Sequence, residues 1–317
     1  MSLDIEEKFY RSLFRIRRVE EEVARIYPTD KIKSPVHLSI GQEAVAVGVC
    51  EALRSDDLVF GTYRGHAFYL AHGGDLKKMI AELYGKETGA TKGKGGSMHL
   101  VDIEHGVMGT SAVVGTTIPQ AVGYALALRI QNRDKLVVSV FGDGAIEEGV
   151  FHESMSFASL KRLPMIFVCE NNSYAIHAHQ RTRQPGLNIS DRAGSYGMPA
   201  ERIENGDVFQ IYAKVKKAVD ELRLGEPGPR FFEIMTYRWM EHVGPSQDFH
   251  FGYRAVSEAE PWFESDQVKL VGGLITATTR KVIEAEVEAE IQDAFAFAED
   301  SPFPDVRELW TDVYQEG

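Results

Sequence analysis

Between residues 135 and 172 the sequence spells out two strands around one helix. Lys135–Phe141 (KLVVSVF) is a β-branched run of the kind that fills a buried strand. Pro164–Cys169 (PMIFVC) is a second, and Ile146–Leu160 between them has the length and apolar content of a helix. Two strands joined through a helix pair in parallel, by a right-handed crossover. Each strand stops at a polar, tightly turning segment: Gly142–Asp143–Gly144 after the first, Glu170–Asn171–Asn172 after the second.

The rest of the chain extends this pattern. Phe9, Leu13, Ile16, Val19, Val23 and Ile26 recur at helical spacing, so residues 6–26 are expected to form an amphipathic helix. Helices are also expected over Gly41–Leu53, over Asp75–Tyr84 with Asp75 as cap, over Ile118–Arg129 and over Asp207–Arg223 closed by Gly225. A strand is expected over Phe231–Tyr237 and a long acidic helix over 275–299. Residues 85–116 hold eight glycines, too many for regular structure, and a loop of that length in a compact domain is usually functional. The stretch after Asn172 reads as a long polar loop, and 238–262 reads as irregular. No repeat, low-complexity linker or domain boundary is visible. The expected fold class is α/β, a mainly parallel sheet with helices on both faces. One domain is expected over 1–317, with a core of about 30–245 and a C-terminal loop and helical arm of about 246–317.

Composition narrows the partners. Asp plus Glu outnumber Lys plus Arg 47 to 35, and a net charge of −12 lacks the basic footprint of a nucleic-acid binder. No apolar run is long enough to span a membrane, and the N-terminal residues lack a secretory apolar core. Cys50 and Cys169 sit in apolar runs as small buried side chains and give no disulfide framework. A cytoplasmic location is expected; disorder, collagen, coiled coil and a disulfide scaffold are excluded.

In an open parallel sheet, ligands sit at the carboxyl ends of the strands. Asp143 lies there between two glycines that let the backbone approach a ligand. Asp and Asn oxygens are hard donors suited to Mg²⁺, which is commonly held by few protein groups plus substrate phosphates. A diphosphate on that metal would face the N–H groups opening the helix expected from 146. The competing reading is two ordinary turns with Asp143 as a helix cap.

The Gly-Asp-Gly segment followed by Asn-Asn at the next strand end resembles the thiamin-diphosphate motif of two-subunit 2-oxoacid dehydrogenases. The whole chain resembles the α subunit of their first, decarboxylating component, in the pyruvate, branched-chain and acetoin types. The likeness is carried by His37–Leu38–Ser39–Ile40–Gly41–Gln42–Glu43–Ala44, Thr62–Tyr63–Arg64–Gly65–His66 and Lys92–Gly93–Lys94–Gly95–Gly96–Ser97–Met98–His99. It continues through Val113–Val114–Gly115 with Pro119, residues 142–176 and Asp312–Val313–Tyr314.

The resemblance implies a thiamin-diphosphate-binding fold with a C-terminal helical arm. It implies Mg²⁺ held by Asp143, Asn172 and the Tyr174 carbonyl. The diphosphate would lie on Tyr63, Arg64, Gly142 and the backbone of Gly144 and Ala145. The backbone of Ala112 and Val114 would meet the aminopyrimidine. His242 would bind near the cofactor and handle protons on the substrate, for which an ordinary imidazole pKa is apt. His37 would line the substrate side, and His66 would sit near the phosphates. Glu147 and Glu148 are expected to be solvated or at a subunit contact. The glutamate that faces the pyrimidine N1′ belongs to the β subunit, so the α chain is expected to work only with it, in a heterotetramer of two α and two β chains. A small oxo compound would be the substrate.

The chain also departs from the family. Val243 stands where a phosphorylated serine follows the histidine, which removes that regulation. The family's second phosphate arginine is displaced, leaving Arg181 or Arg183 to replace it, with Pro185 near its place. Gln247–Asp248–Phe249–His250–Phe251 is an unusual aromatic insertion. Two activities therefore stay open. One is oxidative cleavage of a 2-oxoacid or acetoin with transfer of the acyl group to a lipoyl acyltransferase. The other is a carboligase or ketol transfer without a lipoyl protein. A catalytically silent scaffold is a third reading, opposed by the intact Asp143, Asn172, Arg64 and His242.

Overall fold

A computed structural model of the chain describes residues 5–311 and 314, so Asp312 and Val313 of the closing motif lie outside the described residues. Its sheet has six strands, β1 (Leu58–Phe60), β2 (Val107–Gly109), β3 (Val137–Gly142), β4 (Met165–Asn171), β7 (Ala200–Ile203) and β8 (Arg230–Met235). A separate hairpin is made by β5 (Tyr174–Ala175) and β6 (Ala178–His179). The spatial order is β2-β1-β3-β4-β8-β7 and every neighbouring pair is parallel. The β3–β4 pairing is the one expected from the sequence, running in unbroken register from Val137↔Met165 to Gly142↔Glu170.

Side chains alternate between two apolar layers because successive strand residues point to opposite faces. Val138, Val140, Ile166, Val168, Phe232 and Ile234 face one layer. There they meet helices Ile5–Ile26, Glu43–Cys50, Leu76–Leu83, Val208–Arg223 and Ala277–Asp300. Val137, Phe141, Met165, Phe167, Cys169 and Phe231 face the other, covered by helices Thr117–Ile130, Gly149–Lys161 and Ile189–Gly194. Both cysteines are buried and free, and burial pushes their thiols up.

Helix starts follow their caps: Asp75 accepts from Lys78 N and Asp207 from Gln210 N. The glycine-rich stretch is folded by one buried carboxylate. Glu82 accepts backbone N–H groups of Thr91, Gly93, Gly95 and Gly96 at 2.8–2.9 Å. The acidic helix Ala277–Asp300 lies against helix Ile5–Ile26 through Arg11–Glu286, Arg15–Glu290 and Arg18–Glu288. Among the described residues no helix is long and apolar enough to cross a membrane.

Four expectations change. Strands β1, β2 and β7 were absent from the sequence reading. The loop after Asn172 contains the hairpin and helices Gln180–Arg183 and Ile189–Gly194. Region 238–262 is partly helical, over Val256–Glu264. The helix expected from Ile146 begins at Gly149, and Asp143–Glu147 forms a 3-10 turn before it.

Candidate functional site

The direction of chain progression reverses between β1 and β3. From β1 the chain moves outward to β2, then crosses back to β3 and proceeds to β4 on the opposite side. Such a reversal opens a crevice at the carboxyl ends of the two strands. A cavity of about 240 Å³ lies there, and five strand ends feed it. After β1 come Thr62, Tyr63 and Arg64; after β2, Ser111, Val113, Val114 and Gly115. The end of β3 supplies Gly142–Ala145, that of β4 Glu170, Asn172 and Tyr174, and the loop after β8 His242. The structure therefore brings together Tyr63, Arg64, Val114, Gly142, Asp143, Gly144, Ala145, Asn172, Tyr174 and His242. The backbone N–H groups at 144 and 145 belong to the 3-10 turn rather than to the long helix expected there.

Arg64 is the informative cation. It is buried, its Nη1 donates to Leu38 O at 2.7 Å and its Nη2 to His242 O at 3.1 Å. Among the described residues no carboxylate pairs with it. Burial, with Arg238 nearby, pulls its pKa down to about 10. A buried guanidinium on a cavity wall without its own anion is matched to an anionic ligand, because a buried charge needs a counter-charge.

Asp143 is also buried, and its carboxyl is pushed up to about 6 by desolvation against the opposing pull of Arg183. Its side chain caps no helix, so the capping alternative is not what the structure shows. Arg183 bridges the carboxylates of Asp143 and Glu147, and Gln184 Nε2 donates to Asp143 O and to Glu147 Oε1, each at 2.9 Å. Of the two candidate arginines, Arg183 is the one at the site; Arg181 is exposed. Glu147, expected to be solvated or at a subunit contact, is exposed and ion-paired with Arg183.

Asn172 donates to Gln42 Oε1 at 2.9 Å, and its Oδ1 accepts from Tyr174 N at 3.1 Å. Gln42 Nε2 faces Glu170 Oε1 at 3.4 Å. Burial raises the Glu170 carboxyl to about 7. The turn after Asn172 takes left-handed φ at Ser173 (68°) and Ile176 (54°), uncommon for a residue with a side chain and most so for a β-branched one. Arg238 Nη2 fastens it by donating to Ile176 O at 3.2 Å. Gly41 needs to be glycine: its φ is +93° and a Cβ there would come within 2.3 Å of Trp239 and 2.5 Å of Tyr237 O. That close approach sets Gln42 beside the loop carrying His242.

The three expected histidines separate. His242 lines the cavity, 5.0 Å from the His37 ring and 5.6 Å from Tyr63. His37 stands behind it against Tyr63, with a buried Nδ1 that has no hydrogen-bond partner among the described residues. Burial and then Arg64 lower both imidazoles to about 3. The expectation of an ordinary imidazole pKa at His242 is therefore corrected: the ring is neutral at physiological pH. His66 is not brought to the cavity. It is fully buried, its Nδ1 3.0 Å from Glu20 Oε2 and its Nε2 2.8 Å from Ser97 Oγ. Opening helix His66–Ala71, its side chain turns into the core, away from the strand end that carries Arg64. Ala112 is not among the lining residues, although Ser111 and Val113 beside it are. Sequence reasoning gave no role to Gln42, Thr62, Ser111 or Glu170. Gln42, Thr62 and Glu170 stand inside quoted motifs, which is the available signal.

Comparison with known proteins identifies the family. The family model described as "Dehydrogenase E1 component" matches residues 11–307. The chain is 37% identical over 310 residues to the α subunit of acetoin:2,6-dichlorophenolindophenol oxidoreductase of Bacillus subtilis (strain 168), covering 96% of this chain and 92% of that one. It is 36% identical over 313 residues to the pyruvate dehydrogenase E1 component α subunit of Rhizobium meliloti (strain 1021), covering 96% and 89%. Among solved structures it resembles transketolase from Campylobacter jejuni, with a TM-score of 0.59 at 17% identity. That match covers 98% of this chain and 50% of the transketolase, so this chain spans half of that protein's length.

Proposed function

The chain belongs to the dehydrogenase E1 component family, and on that premise we propose that it is the α subunit of a thiamin-diphosphate-dependent oxidoreductase acting on a small oxo compound. The observation that carries this reading is Arg64: a buried guanidinium without a carboxylate partner among the described residues, on a cavity at the strand-order reversal beside Gly142–Asp143–Gly144. The cofactor's diphosphate supplies the missing anion.

In this reading Arg64 and Tyr63 hold the diphosphate, with the N–H groups of Gly144 and Ala145. Mg²⁺ is held by Asp143, the Asn172 amide oxygen and the Tyr174 carbonyl, a hard-oxygen set. Among the described residues no cluster of three or more His, Cys, Asp or Glu side chains is placed to hold a metal by itself. A cation here therefore relies on phosphate oxygens to complete its shell, as Mg²⁺ commonly does. Arg183 then leaves the Asp143 carboxylate and keeps Glu147. Val114 and the backbone near Ala112 meet the aminopyrimidine. When bound, thiamin diphosphate supplies a nucleophilic carbon for the substrate carbonyl and an electron sink for bond cleavage.

His242 works as a neutral ring. Its Nδ1 faces Arg64 Nη2 at 3.5 Å and accepts, so Nε2 carries the proton. An Nε2–H on the cavity wall donates a hydrogen bond to a substrate oxygen and stabilises the negative charge that develops there. His37 packs behind it and excludes water from that side.

The rim also suggests the partner. Val113 is 62% exposed, Val114 42% and Ile176 55%, an apolar edge on the open side of the cavity. Both relatives are named as α subunits. A β subunit closing this side, in a heterotetramer of two α and two β chains, would bury that edge and supply the group that faces the pyrimidine. A lipoyl acyltransferase would then take the acyl group.

The test is turnover by the α chain co-purified with its β subunit, with acetoin or pyruvate as substrate and 2,6-dichlorophenolindophenol as acceptor. The proposal expects turnover that needs thiamin diphosphate and Mg²⁺ and is absent from the α chain alone. Turnover indifferent to thiamin diphosphate, or full activity of the isolated α chain, would refute it.

A further inference from the structure

We propose that Glu20, His66 and Ser97 form a sealed relay that positions Arg64 for the diphosphate, with Glu20 as its anchoring residue. The inference rests on the reading of the cavity as a thiamin-diphosphate site. The three side chains are all fully buried. Glu20 Oε2 lies 3.0 Å from His66 Nδ1, and His66 Nε2 lies 2.8 Å from Ser97 Oγ. A carboxylate, an imidazole and a hydroxyl in this order would suit a nucleophile, but none of the three lines the cavity. A hydroxyl without access to any substrate performs no chemistry on one.

What the three groups do is tie four segments together. The other oxygen of Glu20, Oε1, accepts from Ser39 N at 2.8 Å. Ser39 follows Leu38, whose carbonyl receives Arg64 Nη1 at 2.7 Å. His66 lies two residues beyond Arg64 and opens helix His66–Ala71. Glu20 thus grips the strand end that carries Arg64 and the segment that receives its guanidinium. Ser97 extends the grip to the glycine-rich stretch, and Ser97 N donates to Ser34 Oγ at 2.8 Å. The carboxylate also acts at a distance on Arg64, favouring its charged form. A guanidinium with two fixed acceptors reaches a phosphate with little left to order, and preorganisation of this kind raises affinity.

Outer hydrogen-bond partners that orient a ligand-holding group are typically worth roughly tenfold to a hundredfold in affinity. The experiment titrates Mg²⁺–thiamin diphosphate into the α/β assembly by calorimetry, for wild type, Glu20→Gln, Ser97→Ala and Asp57→Asn. Asp57 is the control, a fully buried carboxylate that accepts from Leu136 N at the amino end of the sheet, away from the cavity. Ser97→Ala removes only a hydroxyl and covers the case in which Glu20→Gln does not fold. The proposal expects cofactor affinity to fall roughly tenfold in Ser97→Ala and up to a hundredfold in Glu20→Gln. Turnover at saturating cofactor should move less than affinity does. Asp57→Asn should lose stability with affinity unchanged. Affinities of Glu20→Gln and Ser97→Ala within about twofold of wild type, with stability losses like that of Asp57→Asn, would show the relay to be packing only. Wild type that binds no thiamin diphosphate would overturn the functional reading and the relay with it.

Discussion

Arg64 Nη2 donates to the main-chain carbonyl oxygen of His242 at 3.1 Å. The contact joins the end of β1 to the loop after β8 and couples the group read as holding phosphate to the group read as hydrogen-bonding the substrate oxygen. Because it uses the backbone of residue 242, the side chain can be changed without removing it.

His242→Ala should therefore separate binding from chemistry. Cofactor affinity should stay within a few-fold of wild type, since Arg64 keeps its acceptor. Single-turnover rate should fall roughly 10²–10³-fold, the usual worth of one positioned hydrogen-bond donor to developing negative charge. Calorimetry and rapid-mix kinetics on one preparation check this. An unchanged rate, or a loss explained by subunit dissociation, would remove His242 from the chemistry.

Acid should loosen this corner first. His37 and His242 are held near a pKa of about 3 in the fold, against an ordinary 6.5. Below that ordinary value the unfolded chain takes up protons that the folded chain refuses. The stability associated with these rings is thus intact above about pH 6.5 and is lost as pH falls towards 3. Melting temperature between pH 7 and pH 4.5 should drop more steeply in wild type than in His242→Gln. Parallel curves would contradict the assignment.

Arg183→Ala should test the clamp on Asp143. Without its guanidinium the buried carboxylate has no cation, a loss of about 3 kcal/mol at pH 7. The loss should be smaller at pH 5, where the orphaned group takes a proton. Mg²⁺ with thiamin diphosphate should restore much of the melting temperature. A loss equal at both pH values and insensitive to cofactor would mean that Arg183 only packs the surface.

Much of this was legible from residue order. β3 and β4 are long apolar runs ending in turns, so their parallel pairing and the ligand-facing position of Asp143 and Asn172 follow from the pattern alone. β1 is three residues, Leu58–Phe60, and β2 is three, Val107–Gly109, too short for any periodicity to emerge. β7 runs Ala-Glu-Arg-Ile behind a proline and reads as loop; its parallel pairing with β8 makes it a strand. His66 was misplaced because adjacency to Arg64 says nothing about which side of the backbone a side chain takes. At the first residue of a helix, that side is the core. Arg183 meets Asp143 across 40 positions of chain, a pairing no local signal encodes. The lowered pKa of His242 is likewise a product of burial and of Arg64, which meet only in the folded chain.

The measurement closest to the central claim is calorimetric titration of thiamin diphosphate into the α/β assembly, with and without Mg²⁺, for wild type and Asp143→Asn. If the cavity between the ends of β1 and β3 is the cofactor site, wild type binds only when Mg²⁺ is present. Asp143→Asn should then lose at least about a hundredfold in affinity, because the metal has lost its charged ligand. Mg²⁺-dependent binding of equal strength in wild type and Asp143→Asn would place the cofactor elsewhere and contradict the account.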